Sequence, residues 1–134
     1  MDSIEKEFVS MDLALRLKAL VFKERVLTYY EDGKPKLHTA IEGWDFNSSF
    51  LNCVSRPTFS QAFRWFRAKY SICVEIHETT DWEEDNESWS FVIFKYRLGD
   101  NDGMISSIID YDTYEEAELA CLEKLIEIVE SKTE

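Results

Sequence analysis

An α+β domain, with helices covering a mostly antiparallel sheet, is the fold class that this chain predicts. Apolar residues recur at spacings of three and four near residues 11–21, 58–70 and 114–129, the mark of one-sided helices. Runs rich in β-branched and aromatic residues at 25–30, 36–41, 72–77 and 90–98 read as strands. With 134 residues, 45% of them apolar, and only four glycines and two prolines, the chain suits one compact domain over residues 1–134. The expected order is α-β-β-α-β-β-β-α.

Each element has a local reason. Leu13, Leu17 and Leu20 follow Ser10, a capping residue, so residues 11–21 predict an amphipathic helix. RVLTYY and KLHTAI flank EDGK, and a two-residue Asp32-Gly33 turn sets Tyr30 opposite Pro35 and Thr28 opposite Leu37, with Val26 and Leu37 on one face. Residues 42–55 scatter Gly43, Asn47, Ser48 and Asn52 among Trp44, Phe46 and Phe50, the pattern of a connecting loop with inward aromatics. Thr58 with Gln61 forms a capping box, and Phe59, Phe63, Phe66 and Tyr70 form a core stripe that leaves Trp65 to one side. In ICVEIH, Ile72, Val74 and Ile76 point inward; in SFVIFKYRL, Val92, Phe94, Tyr96 and Leu98 share a face. GDNDG is a turn and MISSIIDY a third strand of this region. Thr113 and Glu116 repeat the capping box before a stripe of Tyr114, Ala117, Cys121, Leu125 and Ile128, widened by Leu122 and Val129. Glu115, Glu118, Glu123, Glu127 and Glu130 occupy the other side.

The formal net charge is −12, and it is unevenly placed. Residues 46–74 carry 4 cations and no anion, whereas residues 75–134 carry 4 cations and 18 anions. Such a field repels phosphate backbones and attracts basic proteins. The N-terminus has no basic region followed by an apolar run, and no stretch nears the roughly 18 apolar residues of a spanning helix. A cytoplasmic protein without membrane contact is expected. Cys53, Cys73 and Cys121 are odd in number and scattered, which fits reduced, buried thiols.

Familiar catalytic signatures are missing: there is no G-x-S-x-G, no GK[ST] loop and no H-E-x-x-H. Cys73 and His77 share a strand face but lie roughly 13 Å apart, too far to hold one zinc ion as a pair. D-N-D-G resembles the middle of a calcium loop, yet the EF-hand register places Leu98 first and Ile109 where the bidentate Glu belongs. No metal or cofactor is predicted.

Two constellations stand out. Arg56, Arg64, Trp65, Arg67 and Lys69 combine cations with an aromatic, as nucleic-acid contact helices do. The plainer reading is a solvated helix face or internal ion pairing; a protein contact is the third, since Trp and Arg are enriched at hot spots. The second constellation is D-W-E-E-D-N-E-S-W: Asp81, Trp82, Glu83, Glu84, Asp85, Glu87 and Trp89. A solvated hairpin loop accounts for it without a function. As a docking element, its acids around aromatic anchors suit a groove lined with Lys and Arg, where carboxylates stand in for phosphates. An exposed Trp65 or Trp82 would also promote a homodimer.

PTFSQAFRWFRAKY at 57–70, followed by YDTYEEAELACLEKLIEIV at 111–129, resembles a family of small, functionally uncharacterised proteins of phage and prophage genomes in Gram-negative bacteria. The two segments cover about a quarter of the chain. The resemblance implies a mobile-element origin and supplies no catalytic residues. Small acidic phage proteins are similar to inhibitors of host defence, including anti-CRISPR proteins that occupy a basic RNA-guided nuclease. The expectation is therefore a non-catalytic protein that binds a basic host protein through the acidic segment, with Arg64, Trp65, Arg67 and Lys69 as a second contact surface. Two other classes are a small nucleic-acid-binding regulator acting through helix 58–70 and an enzyme with an unfamiliar site, which requires a concave pocket holding carboxylates or a histidine.

Overall fold

A computed structural model describes residues 3–38, 42–49, 52–81, 86–95, 104–107 and 110–132, and it bears out the α+β class. The strands form two three-stranded antiparallel sheets rather than one. The chain divides into two compact units, Met1–Trp65 with Val129–Glu134 and Phe66–Ile128, so the divisions fall inside two helices.

In the first unit, a 3-10 turn Ser3–Glu7 precedes helix α1, Met11–Ala19. The Ser10 hydroxyl accepts from the Leu13 amide (3.4 Å), as its capping role requires, and Leu13, Ala14, Leu17 and Leu20 are buried. The helix ends in a Schellman arrangement: the Phe22 amide donates to Leu17 O and the Val21 amide to Lys18 O, both 3.0 Å. Val21 therefore sits at φ 68°, a left-handed position that a β-branched residue occupies under strain.

Strands β1, Thr28–Glu31, and β2, Lys34–Leu37, pair as expected, with Thr28 opposite Leu37 and Tyr30 opposite Pro35. Asp32 and Gly33 both have positive φ (51° and 80°), which matches the right-handed twist of a two-residue hairpin. Every residue of β2 is exposed; Leu37, at 71%, does not join Val26 in the core.

The expected loop at 42–55 contains two elements: a one-turn helix α2, Phe46–Ser49, and strand β3, Cys53–Ser55, which pairs with the other edge of β1. Asp45 caps α2 by accepting from Ser48 N (3.3 Å), and the Asn47 side chain bridges Phe22 O and Ser55 N, both at 2.9 Å. All three β3 residues are buried, so the strand shows no polar alternation.

Helix α3, Phe59–Tyr70, opens with the reciprocal capping box: Thr58 N donates to Gln61 Oε1 (2.9 Å) and Gln61 N to Thr58 Oγ1 (3.1 Å). It closes with Ser71 in the left-handed region at φ 57°, its amide donating to Arg67 O.

The second unit is built on a long hairpin of β4, Ile72–Asp81, and β5, Asn86–Lys95, with β6, Met104–Ser106, on the outer side of β5. Val74 pairs with Ile93 and Ile76 with Phe91, so the inward parity expected for β4 selects Phe91 and Ile93 in β5. Those two are buried, whereas Val92 and Phe94, expected to share a face, are half-buried on the opposite one; Tyr96 and Leu98 lie outside the described residues, as does GDNDG. Of the expected third strand, Met104–Ser106 is observed.

Helix α4, Tyr114–Lys132, is capped by Thr113, whose hydroxyl accepts from Glu116 N (3.1 Å). Its buried stripe runs through Ala117, Cys121, Leu122, Leu125, Ile126 and Val129. Glu118, expected outside, is 9% exposed on that stripe, while Tyr114, expected inside, is 40% exposed. Burial, then the charge of Glu118, pushes the Cys121 thiol up to about 12, so it stays protonated and inert. No helix among the described residues is long and apolar enough to cross a membrane.

Two stability predictions follow from these contacts. Val21→Gly, which removes the left-handed strain, is expected to raise the urea midpoint by an amount worth up to about 1 kcal/mol, net of glycine's extra unfolded-state entropy. Arg16 donates two hydrogen bonds to Glu130, from Nη2 at 2.6 Å and Nε at 3.2 Å, which hold the Glu130 carboxyl below its usual range; the Arg16 charge adds to this. The pair is 35% and 41% exposed. Glu130→Gln should therefore cost less than about 1 kcal/mol at neutral pH. Because the folded pKa is lowered, the difference between wild type and variant should be complete above the ordinary carboxylate range and vanish as pH falls through the lowered value.

Candidate functional site

The acidic segment is less of a loop than its composition suggests. The β4–β5 ladder continues to Asp81 opposite Asn86 and places Glu87 opposite Thr80, so both ends of residues 81–89 are strand. A hydroxyl pair, Thr79 with Ser88, reinforces the ladder there. Trp82, Glu83, Glu84 and Asp85 lie outside the described residues. Trp89 is half-buried: its ring meets Tyr114 edge-on at 5.4 Å, and its backbone exchanges two 2.7 Å hydrogen bonds with Tyr111. It braces the second unit rather than standing free as an anchor.

The cationic constellation separates into two parts. Arg56 is 7% exposed and belongs to the core of the first unit. Its guanidinium pairs with Glu5, donates to the Tyr30 hydroxyl (3.2 Å) and lies 4.4 Å over the Phe8 ring. Trp65 is 5% exposed, with its ring 5.2 Å from Phe22 in an edge-on contact. It is available neither for base stacking nor for self-association, because the buried side of α3 takes in Ala62 and Trp65 beside Phe59 and Phe66 of the Phe stripe. Arg64, Arg67 and Lys69 remain exposed; Lys69 lies 5.5 Å over the Tyr70 ring, and Arg64 and Arg67 enter no ion pair among the described residues.

His77 Nε2 bonds the Ser90 hydroxyl at 2.9 Å, and its Nδ1 is 3.9 Å from Glu75. Among the described residues no group of three His, Cys, Asp or Glu side chains is placed to hold an ion.

Among the described residues, each unit contains a concave region. In the second unit a groove of about 510 Å³ runs between β5–β6 and α4; Phe91, Ile105 and Tyr111 form its apolar floor, and Glu123 and Glu127 stand at its side with Lys124. Lys124 is itself 3.7 Å from Glu127. This unit holds nearly all of the molecule's net charge, with 5 cations and 16 anions, against 10 and 11 in the first unit.

The cleft of the first unit, about 350 Å³, was not legible in the sequence. Pairing of β1 with β3 sets Glu31 opposite Cys53 and Tyr29 opposite Ser55, on the face of β1 that Tyr30 leaves. Phe46 stacks on Tyr29 (4.0 Å between centroids, 16° between planes), and His38 lies between Trp44, 6.5 Å away, and Phe46, 5.4 Å away. The cleft thus contains a carboxylate, an imidazole and a thiol. The thiol is no nucleophile: burial, and then Glu31 through its charge and a 3.9 Å hydrogen bond, raise the Cys53 pKa and keep the sulfur protonated. No family model, curated protein or solved structure matches this chain.

The division of the cations has a direct test. Arg56→Ala is expected to destabilise by about 3 kcal/mol in urea unfolding, the low end for a broken buried pair because Glu5 is half-exposed. Arg64→Ala and Arg67→Ala should each stay within about 0.5 kcal/mol of wild type.

Proposed function

We propose that this chain is a non-catalytic interaction protein whose acidic unit docks on a basic surface of a partner protein. The supporting observation is the groove beside α4, where an apolar floor is flanked by Glu123 and Glu127 within a unit of 5 cations and 16 anions. Lys and Arg side chains match such a surface in both respects, with aliphatic stems for Phe91 and Ile105 and charged heads for the glutamates. The acidic residues 81–87 add to the field that draws a basic partner in. The resemblance of residues 57–70 and 111–129 to phage proteins makes a host defence nuclease, with its cationic nucleic-acid channel, the first partner to test. In that setting the protein acts as an inhibitor by covering the channel.

A tagged pull-down from host lysate, with and without nuclease treatment, checks the reading. The expected result is one basic protein, retained after nuclease treatment and released as salt rises. Its affinity should fall at least tenfold for Glu123→Lys with Glu127→Lys, exposed changes that spare the core. Neutralising Glu83, Glu84 and Asp85 in a separate variant measures the share of the acidic segment. Capture of nucleic acid, or an interaction indifferent to both salt and the charge reversals, would show the reading to be wrong.

A further inference from the structure

The cleft of the first unit is a second recognition site, built from residues that the acidic groove does not use. We infer that it receives an organic cation, an alkylated ammonium group, seated against Tyr29, His38 and Trp44 with Glu31 as its counter-charge.

The chemistry of the lining selects the ligand class. Aromatic rings present negative faces that attract a cation, and Glu31 supplies the carboxylate in the lining. Lys18 is held outside the lining by donating to Cys53 O (3.0 Å), and Lys34 and Lys36, which pair with Glu31 and Tyr29 across the sheet, are exposed and outside the lining as well. Apart from Glu31, the polar groups of the lining residues are those of Asn52, His38, the Cys53 thiol, the Tyr29 hydroxyl and the Trp44 indole N–H, set among the rings of Tyr29, Trp44 and Phe46, whose carbons offer a bare ammonium no acceptor on leaving water. An alkylated ammonium spreads its charge over methyl groups, sheds water more easily and gains from the rings.

The rings are held in place by the fold. Phe46, 3% exposed, backs Tyr29, and its amide donates to Ser55 Oγ (3.1 Å). Trp44 is fixed by a pair of backbone hydrogen bonds with Val26, at 2.9 and 3.0 Å. That close approach depends on Gly43, at φ 72°, where a Cβ would lie 2.8 Å from Val26 O. His38 is anchored through its amide to Leu27 O at 2.7 Å. Yet Trp44 remains 43% exposed, a large aromatic surface kept at a cleft instead of being folded into the core. Rings positioned before the ligand arrives lose little freedom on binding.

The test is a titration of the full chain with choline, followed in the amide and indole proton–nitrogen NMR spectrum, beside the neutral tert-butyl isostere of choline. Choline should shift the Trp44 indole and the Tyr29 and His38 amides saturably, and the isostere should bind at least about tenfold more weakly. Glu31→Gln should weaken choline binding about three- to tenfold with the spectrum otherwise intact, and Trp44→Leu should abolish it. A trimethyllysine peptide, compared with its unmodified form, distinguishes the source: tighter binding than choline assigns the site to a modified protein tail, equal binding to a free amine. Equal affinity for choline and its isostere, or no saturation at tens of millimolar choline, would overturn the inference. Glu123→Lys with Glu127→Lys should leave this titration unchanged, so failure of one site is distinguishable from failure of the other.

Discussion

The buried guanidinium of Arg56 is the constraint around which the first unit is arranged. A cation at 7% exposure is tolerable only if its donors are met, and here Glu5, the Tyr30 hydroxyl and the rings of Phe8 and Tyr30 meet it. The same residue is held through its backbone, since its amide donates to Thr28 O and its carbonyl accepts from Thr28 Oγ1. Tyr30 in turn donates to Val9 O at 2.8 Å. The N-terminal turn, β1 and the approach to α3 therefore converge on one side chain. Because this network draws Tyr30 inward, strand alternation turns Tyr29 and Glu31 to the other face, where the aromatic cleft forms.

The two units offer different physics to a ligand. In the acidic unit, attraction acts at a range set by the Debye length and favours fast, salt-sensitive encounter. The first unit is nearly neutral, with 10 cations and 11 anions, and its cleft presents ring faces and one carboxylate, whose effect is felt at contact distance.

Features encoded by neighbouring residues were legible in the sequence. The Asp32-Gly33 turn and its register, the Ser10 cap and the Thr58-Gln61 box depend on contacts within a few residues, and the structure contains each one. Features decided by distant partners were misread. Counting aromatics along α3 placed Phe63 inward and Trp65 to one side, whereas packing against Phe22, forty-three residues earlier, buries Trp65 and leaves Phe63 half-buried. The inward face of β5 follows from its pairing with β4, and Glu118 is drawn onto the buried side of α4, neither of which local periodicity reveals. Strand β3 gave no signal because all its residues are buried, and without β3 the Glu31–Cys53 pairing behind the cleft could not be anticipated. Arg56 looked like a surface cation because sequence carries no sign of the Glu5 and Tyr30 that surround it.

The exposed strand β2 bears on how this protein meets other molecules. Glu31 and Lys34 flank the two-residue turn as a hydrogen-bonded pair, so the next pair, Tyr30 and Pro35, is a non-bonded one. Whatever Pro35 lacks as a donor is thus missing from the outer edge of the sheet, and Lys34 and Lys36 on either side of it repel an identical strand brought alongside. That edge is a poor template for cross-β growth and for strand-swapped pairing.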